Sequence, residues 1–428
     1  MNRRRRRDAM LLGAGLVFGL VLRWQMLDGR GGVDMADYLR WGNAVLDQGL
    51  ARGYVGIHFP LQYQVYEFCS WFARSFAIDP YVVFKAANIP FDLGTYVILI
   101  ALLRRAGVSP LYALVYWLHP WFLVVFALGY IDMQMTFCVV LSLWLLKDAS
   151  TRARSALAGV PFAAAVMLKP QMSLPFAALA FYAFLRWKQT GNRDVACFLI
   201  PVAVAGLSYE TYFTTALWRD IGARALVVFP TSIARIGSTM PVLTANMLNV
   251  WYPLAAWLKE PGAQIWTVSS KLLVLPHLQV RFVAFAVTVG IIAWYVTVVT
   301  RSRRQLTLAD RLRYILTFTT FIVPSIMTSA HENHLFAATA LFVLLLGTAT
   351  VRTRAAIHIV LASQMVNLEG IYGFDSFGLW LQPMYSVAIR TALALVSIGC
   401  FAVIGAELYR LVSADPIGRA AILEGSGG

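Results

Sequence analysis

The sequence predicts an all-α polytopic membrane protein, and three observations carry that expectation. Hydrophobic residues make up 59% of the 428 positions and charged ones only 13%, with a mean hydropathy of +0.66, well beyond the usual range of a soluble domain. The apolar residues are gathered into runs of about twenty, the length that crosses a bilayer as a helix, rather than into alternating ten-residue strands. The runs end in short arginine and lysine clusters, the usual mark of cytoplasmic helix ends. Backbone amides inside lipid must be satisfied within their own segment, so runs of this kind mean helices.

Taken in order, the chain reads as about twelve crossings. Arg3 to Arg7 precede the apolar stretch Ala9 to Leu27. This opening resembles a secretory signal, but Arg23 and Trp24 stand where a small-residue cleavage site would be, so it reads as an uncleaved first helix with a cytoplasmic start. Residues 28–80 form the first extracytoplasmic loop. Within it, Leu61 to Ala77 carries Gln62, Gln64 and Glu67, which makes it too polar for a span and places it as a juxtamembrane or re-entrant piece. Spans follow at about Tyr81–Leu103, Pro110–Leu128, Ile131–Leu146, Ser155–Leu168, Met172–Leu185 and Val195–Phe213. A long extracytoplasmic loop, 217–278, holds an amphipathic stretch, Leu243 to Leu258, suited to the interface. The last five spans are about Val280–Thr300, Leu312–Ser329, Leu335–Thr350, Ala355–Tyr372 and Tyr385–Leu411, and 415–428 reads as a flexible tail on a single transmembrane domain.

The net charge of +15 does not indicate nucleic acid, because the basic residues sit at span ends rather than in one face or stripe. Cys69, Cys138, Cys197 and Cys400 have no paired or metal-ligand spacing and read as packing residues.

With a cytoplasmic start, the count puts the basic clusters on one side and the polar motifs on the other. Asp34 and Asp37, Asp132, Lys169 and Gln171, and His331-Glu332-Asn333-His334 all fall in extracytoplasmic turns. A single miscounted helix would scatter them, so their agreement points to one shared site. Each motif also has an ordinary reading. Asp132 suits a helix cap, Lys169 a snorkelling lysine, and Asp37 a favourable first-turn charge. His331 and His334 suit interfacial packing, or one helical face at metal-ligand spacing, although no HExxH pattern is present.

A carboxylate base, a second acid, a lysine and imidazole donors on one membrane face suit one reaction. The acid takes a proton from an acceptor hydroxyl while cationic and hydrogen-bond donors stabilise a departing phosphate. Asp34-Met35 with Trp41, Phe59-Pro60-Leu61, Gly129 three residues before Asp132, Lys169-Pro170-Gln171, and His331-Glu332 with Leu335-Phe336 occur in the order seen in bacterial glycosyltransferases of the GT-C superfamily. The set is most similar to mannosyltransferases related to the second mannosyltransferase of GPI-anchor synthesis. It also looks like endoplasmic-reticulum glucosyltransferases that use dolichyl-phosphate glucose.

The resemblance implies a GT-C fold with extracytoplasmic juxtamembrane helices, a polyprenyl-phosphate sugar donor and inversion at the anomeric carbon; the paucity of clustered acids favours a mechanism without a metal, and no cofactor is expected. It implies Asp34 as general base, with Asp37 as its competitor. Lys169, His331 and His334 would contact the donor phosphate, and Asp132 would orient a sugar, with Gln171 and Glu332 completing the substrate-binding set. The acceptor would be a glycan or lipid outside the inner membrane, the sugar a hexose with mannose favoured, and the partners would include membrane lipids. The chain departs from the pattern in having Phe59-Pro60-Leu61 for Tyr-Pro-Pro, Leu128-Gly129-Tyr130 for Trp-Gly-Gln, and His331-Glu332-Asn333-His334 for His-Glu-Arg-Tyr. The missing arginine leaves its place to His334 or to Arg224 or Arg235 of the long loop. Two other classes remain open. One is a transporter or lipid-sugar flippase, which would carry midplane charges and an internal repeat; the other is a ligase or polymerase of lipid-linked glycans, recognised by arginine-rich loops.

Overall fold

A computed structural model describes residues 3–29, 31–32, 34–147, 151–221, 232, 235, 240–331, 333–372 and 386–413, with the side chains of 218–221 left out. The described residues are helical apart from one short hairpin and the irregular segments that join the helices. The elements are α1 (Arg3–Gln25), α2 (Asp34–Gln48), α3 (Leu50–Gly53), α4 (Pro60–Phe76), α5 (Pro80–Ala86), α6 (Ile89–Arg105), α7 (Ala113–Leu118), α8 (Pro120–Ala127), α9 (Asp132–Leu146), α10 (Arg152–Leu168), α11 (Ser173–Thr190) and α12 (Asp194–Ile221). After the long loop come α13 (Tyr252–Leu258), the strands β1 (Leu273–Leu275) and β2 (Leu278–Gln279), α14 (Val280–Arg301), α15 (Leu308–Ile326), α16 (Phe336–Val343), α17 (Val351–Tyr372) and α18 (Val387–Ser413).

This is an all-α membrane protein. Among the described residues, five helices are long and apolar enough to cross a bilayer: Arg3–Gln25, Pro80–Arg105, Asp194–Leu217, Val280–Arg301 and Val387–Ser413. Pro110–Leu118 and Pro120–Ala127 are a pair of helices bent by 43° at His119-Pro120, where proline removes an amide donor, and count as a sixth if taken as one span. The other expected crossings fall on helices that are shorter or more polar, such as the fifteen-residue α9 and the eight-residue α16. Leu61–Ala77 belongs to a regular amphipathic helix, α4, which starts at Pro60. Tyr63, Tyr66, Cys69 and Ala73 turn inward, and Phe68, Trp71 and Phe76 face outward. The expected amphipathic stretch Leu243–Leu258 is different: only Tyr252–Leu258 is helical, and Leu243, Ala245, Met247 and Leu248 are buried.

Packing is closest where small residues let backbones meet. α9 lies between α6 and α10, and α10 runs against α12. A Cβ at Gly159 of α10 would stand 1.9 Å from the Phe198 carbonyl oxygen of α12, so only glycine permits the crossing. α1 is bound into the bundle by Arg23, which is fully buried. Its Nε donates to Asp92 of α6 at 2.6 Å, and its guanidinium lies 3.6 Å over the Trp117 ring. Tyr116 donates a second short bond, 2.5 Å, to Asp92.

The two ends of the bundle differ. At one end Arg311 and Arg304 bind helix termini, Arg311 donating to the carbonyls of Val299 and Ser302 and Arg304 to that of Leu411, while Arg354 donates to the Tyr112 hydroxyl. Lone C-terminal carbonyls are natural partners for such cations. At the other end an aromatic layer of Tyr38, Trp41, Tyr63, Tyr66, Phe84 and Phe213 packs between α2, α4, α5 and α12. The candidate site lies at this aromatic end.

Candidate functional site

The approach to Asp34 is held by backbone contacts. Lys85 donates to the carbonyls of Met26 (2.7 Å) and Gly29, and the Gly32 amide donates to Leu128 at 2.8 Å. The chain then starts α2 with both acids in its first turn, where a helix N-terminus favours negative charge. Asp37 pairs with Arg40 at 2.6 Å and is 42% exposed, so it faces outward as a first-turn charge. Asp34 is half-buried.

The next residue, Met35, joins this motif to the second one. It is buried against Gly129, whose φ of 76° lies in the left-handed region and whose missing Cβ would sit 2.2 Å from the Met35 sulfur. The turn at Gly129 needs glycine for both reasons. It leads through Tyr130, whose carbonyl accepts from Asn88 at 3.1 Å, and Asn88 in turn accepts from Gln134 at 2.9 Å. Asp132, the first residue of α9, is fully buried between these braces.

Asp132 does not cap its helix. Its Oδ2 accepts from Lys169 Nζ at 2.7 Å and from Asn333 Nδ2 at 2.9 Å. Its Oδ1 has no partner among the described residues. Lys169 does not snorkel either: it ends α10 in an extended conformation, is 2% exposed and points inward. Gln171, two residues on, is half-buried, and its Oε1 has no partner among the described residues. With Met135, Thr320, Val323 and His334 it lines a small, mainly apolar pocket.

His331 and His334 lie in a turn before α16, not on a helix face. Their ring centres are 5.0 Å apart, and the His331 amide donates to His334 Nδ1 at 3.3 Å. With Nδ1 accepting, the proton of a neutral His334 belongs on Nε2, which makes Nε2 a donor. The turn is fixed from the long loop: the Ala245 amide donates to Ala330 at 2.9 Å, and the Ser329 amide to Val242 at 3.0 Å. Glu332 and Arg224 lie outside the described residues.

Sequence reasoning missed His58, Tyr66 and Asn333 as site residues. His58 Nδ1 and the Tyr66 hydroxyl are 2.8 Å apart, and Tyr38 stacks on Tyr66 at 4.7 Å. Burial pushes His58 down to about 3, with the charge of Lys169 and then that of His331 acting in the same direction. Burial, then His331, Lys169 and His58, hold His334 well below the usual imidazole value. The Tyr66 hydroxyl is raised by burial, by Tyr38 and Tyr63, and by the negative charges of Asp34 and Asp132. Lys169 and the imidazoles thus act on one another, and both acids act on Tyr66, which meets His58. A signal for His58 was present in its position just before Phe59-Pro60, the start of α4.

The long loop also reaches this site. Tyr54 donates to the His58 carbonyl at 2.8 Å and contacts Ser232 Oγ at 2.8 Å, while Arg235 donates to the Val55 carbonyl. Among the described residues, no three His, Cys, Asp or Glu side chains converge in a way that could hold a metal ion. The arrangement offers one buried ammonium, two imidazoles kept neutral, and a half-buried carboxylate at a helix start. Such a set can receive an anion and remove a proton beside it. Compared with models of known protein families and with curated proteins, the chain matches none.

Proposed function

We propose that this protein is an inverting GT-C glycosyltransferase that moves a hexose, with mannose favoured, from a polyprenyl-phosphate donor to a glycan or lipid acceptor. In this reading the GT-C fold has about twelve crossings, the site opens on the extracytoplasmic face of the inner membrane, and no cofactor takes part. One observation carries the reading. Turns far apart in sequence bring Lys169 and Asn333 onto one oxygen of Asp132, Lys169 acts electrostatically on His58 and His334, and Asp34 and Asp132 both act on the Tyr66 hydroxyl that meets His58.

Asp34 takes the proton of the acceptor hydroxyl. The acceptor oxygen then forms a bond to the anomeric carbon from the face opposite the phosphate. The bond from that carbon to the phosphate oxygen breaks, and its electron pair leaves with the polyprenyl phosphate. Lys169 has two ammonium hydrogens beyond the one given to Asp132, and these meet the leaving phosphate together with Nε2–H of His334. Asp132 keeps the ammonium positioned, and its free Oδ1 accepts from a sugar hydroxyl. With His58 and His334 held neutral by burial, Lys169 supplies positive charge, and the site favours the phosphate most as its charge grows.

A transporter or flippase would hold its charges on interrupted helices near the bilayer midplane. Asp132 and Lys169 stand instead at the ends of α9 and α10. The test is incubation of the purified protein with polyprenyl-phosphate mannose or glucose. Sugar transfer, or donor hydrolysis when no acceptor is present, is expected; an intact donor with both sugars, alongside movement of a lipid-linked sugar between leaflets, would overturn the reading.

A further inference from the structure

The end of the long loop carries an apolar projection that the candidate site does not use. β1 and β2 form an antiparallel hairpin in which Leu273, Val274 and Leu275 are 63%, 55% and 60% exposed, flanked by exposed Leu272 and Leu278. A free hairpin of this composition in water would offer unpaired edges and a sticky face, which proteins ordinarily avoid. The hairpin leads directly into α14, one of the five spans, whose Phe282, Phe285 and Val289 are also exposed. Its exposed apolar residues are followed within a few positions by those of α14, and the membrane reading turns both to lipid. Lys271 and Arg281 flank it, cations suited to phosphate headgroups, and the same loop unit exposes Trp257 and Trp266. Five consecutive residues of the run Leu272–Pro276 carry no charge, as insertion below the headgroups requires.

The base of the hairpin is linked to the candidate site. The Ser270 amide donates to Pro241 at 2.7 Å, the Leu243 amide to Val268 at 2.8 Å, and the Ser329 amide to Val242 at 3.0 Å, two residues before His331. The hairpin and the imidazole turn thus share one short run of backbone bonds at the same end of the bundle.

We propose that the hairpin Leu272–Leu278 is seated in the bilayer, at the boundary of headgroups and acyl chains, on the side where the candidate site lies. It anchors the imidazole turn at the depth of the phosphate layer. The occupant of its surface is lipid, argued from its leading directly into the span α14 and from its basic flanks. This inference rests on the membrane reading alone and stands whether or not the protein transfers sugars.

The experiment uses the full chain in lipid nanodiscs, with an environment-sensitive fluorophore on Val274→Cys, on Glu260→Cys as an exposed reference in the same loop, and on the unsubstituted protein to measure labelling of native cysteines. Lipids brominated along the acyl chain are expected to quench the Val274→Cys probe several-fold more than the Glu260→Cys probe, with blue-shifted emission at Val274→Cys. Water-like, unquenched emission at both positions would overturn the proposal. So would a disulfide joining two copies through Val274→Cys, which would make a second chain the occupant. Because Val274 is exposed, the substitution leaves the packed core untouched.

Discussion

The Lys169 ammonium lies 2.7 Å from the Asp132 carboxylate, with both side chains buried and thirty-seven positions apart in the sequence. The pair closes α9 and α10 together at one end of the bundle, and Asn333 reaches the same oxygen from a turn two hundred and one residues further on. Taking two charges out of water is costly, and breaking such a pair costs about 3–5 kcal/mol because one charge is left buried and alone. Lys169→Met is therefore expected to lower stability by about that amount, and Lys169→Met with Asp132→Asn to recover most of it. Thermal unfolding in one detergent checks this, and equal melting of the single and double variants would refute it. Neither form should transfer sugar.

Asp34→Asn is expected to leave expression, folding and donor binding unchanged and to lower transfer by about 10²–10⁴-fold, the usual worth of a positioned general base. Asp37→Asn should cost far less, since Asp37 faces outward in a pair with the exposed Arg40. Turnover assays on both variants separate the two acids; full activity in Asp34→Asn would remove it from the mechanism.

Stability should fall in acid through His58. The unfolded chain protonates this imidazole near its ordinary value of about 6.5, while the folded protein leaves it neutral down to about 3. Between those values the unfolded state binds more protons, so each unit of falling pH removes up to about 1.4 kcal/mol per imidazole. The contribution is fully present above 6.5 and is lost as pH falls toward 3. His334 shifts in the same direction. Denaturant unfolding as a function of pH should show a shallower acid slope in His58→Gln than in the natural protein; parallel slopes would count against it.

Gly129→Ala is expected to separate the two acid motifs. An alanine must adopt a φ of 76°, worth about 1–2 kcal/mol of strain, and its Cβ would overlap the Met35 sulfur. Adding Met35→Ala removes the overlap but not the strain, so stability should return in part. Activity should follow the separation of Asp34 from Asp132, measured as transfer rate beside melting temperature. Unchanged activity in Gly129→Ala would show that this contact does not set the site.

Arg23 makes the first helix part of the core. Arg23→Met should lower stability by about 3–5 kcal/mol by leaving Asp92 buried without its cation, and Arg23→Met with Asp92→Asn should be milder. Intact mass of the purified protein checks the companion expectation that Ala9 to Leu27 is retained.

The elements that were legible in advance are those whose signal is local. Apolar length announced α1, α12, α14 and α18, and Pro60 marked the start of α4, whereas the bend between α7 and α8 fell inside a stretch read as one span. The motifs around Asp34, Asp132, Lys169 and His331 were legible because polar residues at span ends are conspicuous in so apolar a chain. The amphipathic pattern of Leu243–Leu258 misled, because those side chains are covered by neighbours far away in sequence rather than by an interface; Leu243 and Leu248 pack with Val280 and Ala394. Asn333 looked like a mere departure from a motif, yet it is the residue that touches Asp132.

The amino-acid sequence alone determined that this chain is helical and built for a membrane, since the need to satisfy backbone amides in lipid follows from composition and run length without reference to any contact. Tertiary structure alone decided which side chains share a site and in what state. His58 is neutral because of what buries it, Asp132 serves an ion pair rather than a helix cap because Lys169 and Asn333 reach it, and Asp37 stays partly exposed in a pair with Arg40. Those outcomes depend on desolvation and on distances across the bundle, which no stretch of sequence carries by itself.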